Sequence, residues 1–131
     1  MKVLLDTHTF LWWILDSPQL PEQVRKIIAD GKNEVYLSAA SCWEIVIKAH
    51  LGKIDLPGKA DLFISNEMSA NAFQGLPIQA SHALNVFNLP NLHRDPFDRI
   101  LISQAQLEGM PIVTSDPLIS RYGVRVLWDK K

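Results

Sequence analysis

Residues 1–16, MKVLLDTHTFLWWILD, contain the change of pattern that decides the fold. Residues 2–5 are largely apolar and β-prone, and this run stops at Asp6. Residues 9–15 then give two turns of an apolar helix, for which a threonine just upstream could supply the N-cap. A short strand that passes at once into a helix is typical of an α/β domain with a parallel sheet.

The same alternation continues along the chain. The sequence predicts strands at residues 2–5, 34–38, 73–78, 112–114 and 124–128. It predicts helices at residues 9–15, 22–30, 39–51, 59–72, 80–87, 96–108 and 117–121. Strands that alternate with helices are joined by right-handed crossovers, so we expect a mainly parallel, roughly five-stranded sheet with helices on both faces. The whole chain, 1–131, is predicted to be a single domain.

The overall charge excludes one way of binding nucleic acid. The chain has a net charge of −1 at pH 7 and a pI of about 6.4. Domains that hold nucleic acid on a broad basic face usually have a much higher pI. If this protein acts on RNA, it does so through a local site, where metal ions supply much of the positive charge.

Cysteine content and hydropathy indicate the compartment. Cys42 is the single cysteine of the sequence, so an intrachain disulfide is excluded and a reducing compartment is expected. The apolar run near the start is interrupted by Asp6 and His8, unlike a signal peptide. Since a membrane-spanning segment needs about 18 uninterrupted apolar residues, none is expected, and a cytoplasmic location is predicted.

Four acidic residues stand out by their positions. Asp6 and Asp116 each follow a predicted strand, and strand ends meet at one edge of a parallel sheet. Glu44 lies in an otherwise apolar stretch of the third helix, and Asp98 lies in the first turn of the long helix. Taken singly, Asp6 and Asp116 could be helix caps, and Asp98 could complement the helix dipole. Together they predict a site, because carboxylates at close range require a hard divalent cation such as Mg²⁺ or Mn²⁺.

Four motifs in this order resemble the PIN-domain family. They are Asp-Thr-His at 6–8, Ser-Cys-Trp-Glu-Ile at 41–45, His-Arg-Asp-Pro-Phe-Asp-Arg at 93–99, and Val-Thr-Ser-Asp at 113–116. The nearest likeness is to VapC-type toxins of bacterial toxin–antitoxin pairs, and it covers nearly the whole chain. It implies an endoribonuclease that depends on Mg²⁺ or Mn²⁺, is inhibited by a cognate antitoxin, and forms a homodimer.

The resemblance also assigns roles to individual residues. The catalytic and metal-binding set would be Asp6, Glu44, Asp98 and Asp116, with Asp6 and Asp98 as the surest metal ligands. Asp95 is interpreted as the N-cap of the helix that Pro96 opens, with an outer-sphere role as the alternative.

Three further features carry expectations. Arg99 is the best candidate for a phosphate contact, ahead of His93 and Arg94. The apolar run at 10–15 is either buried or forms a surface for an antitoxin or a second copy. The terminal Lys130-Lys131 pair is too short to act as a nucleic-acid-binding tail.

Other classes of protein were weighed against the nuclease. A phosphoacceptor signalling module would need an acceptor aspartate after the third strand, where the sequence has Pro-Ile-Gln at 77–79. A non-catalytic RNA-binding or interaction domain would have no need for four acids at close range. A PIN-like RNA-processing nuclease without a toxin role stays open, and only the resemblance favours RNA over DNA as the substrate.

Overall fold

The computed structural model describes residues 1–128, so the Lys130-Lys131 pair lies outside the described part of the chain. The strands are β1 (Lys2–Leu5), β2 (Glu34–Ser38), β3 (Gln74–Leu76), β4 (Ile112–Val113) and β5 (Val126–Leu127). The helices are α1 (Thr7–Ile14), α2 (Glu22–Ala29), α3 (Ala39–His50), α4 (Ala60–Ala70), α5 (Ala80–Asn85), α6 (Pro96–Glu108) and α7 (Pro117–Ser120). A 3₁₀ turn, Val86–Asn88, follows α5.

The five strands form one parallel sheet in the order β3-β2-β1-β4-β5. The predicted α/β class with a mainly parallel five-stranded sheet is therefore confirmed. Strand β1 lies in the centre, where Leu5 is in register with Leu37 of β2 and with Val113 of β4. Asp6, the next residue, consequently leaves the sheet at the middle of its carboxyl edge.

Helices cover both faces of the sheet, and alternate residues of β1 enter the two resulting cores. Val3 and Leu5 pack with buried side chains of α1 to α4. Leu4 faces the opposite way and packs with α6 and α7. These three side chains are fully buried while Lys2 is exposed, which explains why the strand is wholly apolar after its first residue.

Several element boundaries differ from the prediction for local reasons. Helix α1 begins at Thr7 and not at residue 9, because Asp6 caps it: Oδ1 accepts a hydrogen bond from the Thr9 amide at 2.8 Å. Helix α2 begins at Glu22 as predicted but ends at Ala29, one residue early, with Asp30 as its C-cap. Helix α6 has the predicted bounds, and its end is fixed by Gly109, whose φ of 68° suits a residue without a Cβ.

The apolar run at 10–15 packs mostly within its own chain. Phe10 and Leu11 are buried, whereas Trp12 and Trp13 are half-buried. Trp13 donates from Nε1 to Oδ1 of Asn71 at 3.0 Å, and the Trp12 and Trp128 rings have centroids 6.1 Å apart. Intramolecular packing thus accounts for much of this helix, and a partner surface on its remaining exposed part stays a prediction. Among residues 1–128, no helix has the length and hydropathy that crossing a membrane requires.

The core packing can be tested at Phe10. Its ring is fully buried and lies 6.0 Å from the Phe73 ring, centroid to centroid. We expect Phe10→Ala to lower the free energy of unfolding by about 3–5 kcal/mol through lost burial and an unfilled cavity. Equilibrium urea unfolding measures this change. The control is Phe87→Ala: because Phe87 is 92% exposed, its loss should change stability by no more than about 0.5 kcal/mol.

Candidate active site

The site begins where the two central strands end. Because Leu5 pairs with Val113, the residues that follow them, Asp6 and Thr114, emerge side by side. Both are buried, and the Thr114 hydroxyl donates a hydrogen bond to Asp6 Oδ2. The same hydroxyl oxygen accepts the Asp116 amide at 3.0 Å. One threonine therefore couples the two aspartates that were predicted at strand ends.

Glu44 reaches the site from α3 and is held by polar side chains on two sides. The Thr7 hydroxyl donates to Glu44 Oε1 at 2.7 Å and lies 2.9 Å from the Ser41 hydroxyl. Lys48, one turn further along α3, donates to Oε2 at 2.7 Å. This bond raises the pKa of the Lys48 ammonium group, which therefore stays charged. The buried Glu44 thus has a partner for each of its oxygens.

Asp98 and Asp116 converge on one histidine. His93 Nε2 lies 2.8 Å from Asp116 Oδ2 and 3.1 Å from Asp98 Oδ2. The ligand atoms of these three residues all lie within 4.8 Å of one another, which makes them a possible metal-binding group among the described residues. Helix starts position both acids, since Asp116 caps α7 and Asp98 lies in the first turn of α6.

The backbone fixes the role of His93 in this arrangement. The Asp95 amide donates to His93 Nδ1 at 3.1 Å, so Nδ1 must be unprotonated. The ring proton is then on Nε2, where it is donated to the two carboxylates. In this tautomer His93 is a donor that gathers the Asp98 and Asp116 carboxylates, and it brings their oxygens together as candidate ligand atoms.

Negative charge accumulates at this edge of the sheet. Burial raises the pKa of Asp98 to about 7, and the nearby Asp95, Asp6 and Glu44 add to the rise, while His93 opposes it. Burial also raises the pKa of Asp6, against the hydrogen bonds from Thr114 and Thr9. A nearby cation would lower the pKa of both acids, so their raised pKa values are those expected at a position where a cation binds.

The four predicted acids are linked in two ways: through shared hydrogen-bond donors and through their charges. Asp98 and Asp116 share a donor directly. Asp6 is linked to Asp116 through Thr114, and both Asp6 and Glu44 act electrostatically on Asp98. A metal-ligand role for Asp6 and Glu44 stays a prediction.

The sequence did not single out Thr7, Thr114 or the carboxylate-gathering role of His93. Thr7 and Thr114 lie at or near the end of a predicted strand. That position was the sequence signal that could have identified them as residues of the site.

Two flanking residues have well-defined local roles. Asp95 caps α6, with Oδ1 accepting the Phe97 amide at 2.9 Å, as interpreted from the sequence. Arg99 was the phosphate candidate, but its guanidinium donates to the carbonyls of Val86, Leu89, Pro90 and His93. It thereby fixes the loop that carries His93. A phosphate contact at Arg99 stays a prediction that this geometry disfavours, whereas Arg94 is exposed.

Comparison with known families gives an assignment. The PIN domain model matches residues 3–124, and the chain therefore belongs to the PIN-domain family. A relative, Ribonuclease VapC16 of Mycobacterium tuberculosis (strain ATCC 25618 / H37Rv), is 33% identical over 60 residues. That alignment covers 46% of this chain and 43% of the relative, so the chain matches less than half of the relative's length.

Solved structures with the same fold come from bacterial complexes. VapBC2 from Rickettsia felis, bound to a DNA fragment from its promoter, matches with a TM-score of 0.74 and 17% identity, over 98% of this chain and 100% of that one. DNA-bound VapBC from Salmonella typhimurium gives 0.71 and 17%, over 97% of each chain. FitAcB from Neisseria gonorrhoeae gives 0.66 and 20%, over 95% of this chain and 96% of that one. At these identities the likeness establishes the fold.

The raised pKa of Asp98 predicts a pH-dependent stability in the absence of metal. The folded protein holds this proton up to about pH 7, whereas the unfolded chain releases it near the ordinary value of 3.8. Between these values the folded state binds more protons, so the free energy of unfolding falls as the pH rises from about 4 through 7. Asp98→Asn should reduce this fall, leaving the part that the raised pKa of Asp6 contributes, and make the protein more stable than wild type at pH 8, by a few kcal/mol at most, of the order of 1.4 kcal/mol per pKa unit.

The measurement is urea unfolding in EDTA across this pH range. Asp55→Asn, at an exposed loop carboxylate, is the control and should keep the wild-type pH profile. Parallel profiles for wild type and Asp98→Asn would contradict the electrostatic description of the site.

Proposed function

We propose that this protein is a metal-dependent endoribonuclease that hydrolyses RNA phosphodiester bonds, with Asp6, Glu44, Asp98 and Asp116 as its catalytic and metal-binding acids. The proposal rests on one observation. The Asp98 and Asp116 carboxylates both lie against His93 Nε2, and the charges of Asp6 and Glu44 raise the pKa of Asp98. A structural role alone would not require four acids so close together.

The residues present fit Mg²⁺ or Mn²⁺. Both ions prefer carboxylate oxygens, and Mg²⁺ binds them at about 2.0–2.1 Å, so two ligands of one ion lie at most about 4.2 Å apart. One carboxylate oxygen from each of Asp98 and Asp116, with a ring nitrogen of His93, forms a group of atoms that all lie within 4.8 Å of one another. Asp98 and Asp116 would be the direct ligands, and Asp6 lies close enough for its charge to act on Asp98.

The protein's own groups would position the reaction. A bound divalent cation supplies Lewis-acid polarisation of the phosphodiester and activation of a water molecule. Thr114 and Thr7 hold the carboxylates of Asp6 and Glu44 in one orientation, so no reorganisation is needed at the moment of reaction. Lys48 stays charged beside Glu44, and this ion pair also holds the Glu44 carboxylate in place.

The biological setting is proposed from the relatives. The name Ribonuclease VapC16 supports RNA as the substrate, and the VapBC structures support a cognate antitoxin as partner, so we propose the toxin of a toxin–antitoxin pair. A homodimer and a cytoplasmic location stay predictions from the sequence and its resemblance. A PIN-like RNA-processing nuclease without a toxin role is the alternative, and a non-catalytic RNA-binding domain is disfavoured by the retained acids.

Metal-dependent cleavage is the direct test. Purified protein freed of partners should cleave members of a panel of transfer, ribosomal and messenger RNAs with Mg²⁺ or Mn²⁺, and EDTA should stop cleavage. Asp98→Asn keeps an acceptor for His93 but removes a charged ligand, so we expect cleavage to fall by at least about 100-fold. Gel or sequencing readout gives the rate and the cut positions.

The controls separate chemistry from folding. Circular dichroism should show that Asp98→Asn is folded, and Asp55→Asn should cleave like wild type. If wild type and Asp98→Asn cleave equally, the activity comes from a contaminant or another site. If neither cleaves any RNA with either metal, the nuclease proposal is wrong.

The coupling threonine gives a second prediction. Thr114→Val keeps the volume of the side chain but removes the donor to Asp6 and the acceptor for the Asp116 amide. Loss of such a supporting bond typically weakens metal affinity about 10- to 100-fold. Mn²⁺ binding followed by electron paramagnetic resonance measures the change. Ser115→Ala, at the exposed neighbouring position, is the matched control and should bind Mn²⁺ like wild type.

A further inference from the structure

Two aromatic side chains form a pair beside the acidic site. Trp43 of α3 and Phe97 of α6 have ring centroids 5.6 Å apart and an interplanar angle of 74°, an edge-to-face contact. Trp43 directly precedes Glu44, and Phe97 directly precedes Asp98. The two helices that carry predicted catalytic acids therefore each carry an aromatic residue one position before that acid, and the two rings are in contact.

The exposure of Trp43 is unusual for its size. Its side chain is 61% exposed, although a buried tryptophan would contribute more to stability. The contact with Phe97 restrains the ring without covering it, since an edge-to-face pair leaves much of the indole open. Within residues 1–128, the packing therefore orients the Trp43 ring but leaves most of it exposed.

The charge of the protein limits what can bind there. The net charge is −1, so a broad basic face does not hold RNA, and a metal ion at the acidic site would attract only the phosphate that it contacts. Lys48, a cation at this edge, is already paired with Glu44. Binding of the substrate chain thus requires attraction that does not depend on a basic surface. Stacking of a nucleobase on an aromatic ring supplies it, because every base has a π-face.

We infer that Trp43, held by Phe97, is a base-stacking subsite for an unpaired nucleotide next to the scissile phosphate. This inference rests on the proposed ribonuclease function and assigns to it a residue that contacts the substrate. In a duplex the bases are stacked on each other and their faces are not available, so loops, bulges and ends are the expected sites of binding. Recognition by stacking also explains how a protein of this charge can hold RNA.

The test measures binding without cleavage. In the Asp98→Asn background with Mg²⁺, a fluorescent single-stranded oligoribonucleotide of mixed sequence should bind more tightly than its duplex. Trp43→Leu should weaken single-strand binding by about 5- to 100-fold, the loss expected from one stacked base. Trp43→Phe keeps an aromatic face and should restore most of the affinity. Phe87→Leu, at an exposed aromatic of the 3₁₀ turn, should leave binding unchanged.

Two further readouts distinguish stacking from a structural effect. Single-stranded RNA should quench tryptophan emission, and this quenching should be lost in Trp43→Leu although the other tryptophans remain. In the cleaving protein, Trp43→Leu should raise KM for single-stranded RNA while kcat is largely kept, because a uniform binding contact is removed.

The outcomes separate this inference from the proposed function. If RNA is cleaved and Trp43→Leu changes neither KM nor quenching, the stacking subsite is wrong and the ribonuclease stands. If RNA binding is unchanged but Trp43→Leu abolishes self-association in sedimentation, the aromatic pair is an interface between copies, which also overturns the inference. If the wild-type protein neither binds nor cleaves RNA, both are wrong.

Discussion

The acidic edge of this protein depends on the in-register pairing of β1 with β2 and β4. Since Leu5 pairs with both Leu37 and Val113, the residues Asp6, Ser38 and Thr114 leave the sheet at the same level. Ser38 caps α3, which sets the rotation of the helix that carries Glu44. A shift of β1 by one residue would turn its buried side chains to the opposite faces and remove Asp6 from Thr114. The two cores that hold the register therefore also hold the site.

Placing these acids at one buried edge of the sheet costs free energy. Burying Asp6 and partly burying Asp98 opposes their ionisation, and the charges of Asp95, Asp6 and Glu44 add to the penalty at Asp98. Hydroxyl and imidazole donors offset part of that penalty, and Lys48 offsets part at Glu44. The hydroxyl donors carry no charge, and Lys48 offsets the charge of Glu44 alone, so a net negative charge is left at this edge. A cation that binds at this edge would relieve the repulsion between the carboxylates. An apolar edge would not attract a cation in this way.

The sequence was informative where each residue's environment is local or periodic. The uninterrupted run before Asp6, the cap and proline at 95–96, and Gly109 were enough to predict β1 and both ends of α6. The edge strands β3 and β5 were predicted too long, because their ends depend on pairing and not on composition. The hydrogen bonds of Arg99 could not be predicted, since their acceptors are carbonyls of a loop whose path only the tertiary structure defines.

Helix capping and catalysis were treated as competing explanations for Asp6 and Asp116, but the structure makes them compatible. Each residue uses one carboxylate oxygen for its cap: Asp6 Oδ1 accepts the Thr9 amide, and Asp116 Oδ1 accepts the Leu118 amide. The other oxygen is directed into the site, Oδ2 of Asp6 at Thr114 and Oδ2 of Asp116 at His93. The cap bond restricts rotation of the carboxylate, so the second oxygen is oriented at no further entropic cost. A capping aspartate at a strand end is therefore a sound position from which to build a metal site, and its capping role is no argument against a functional one.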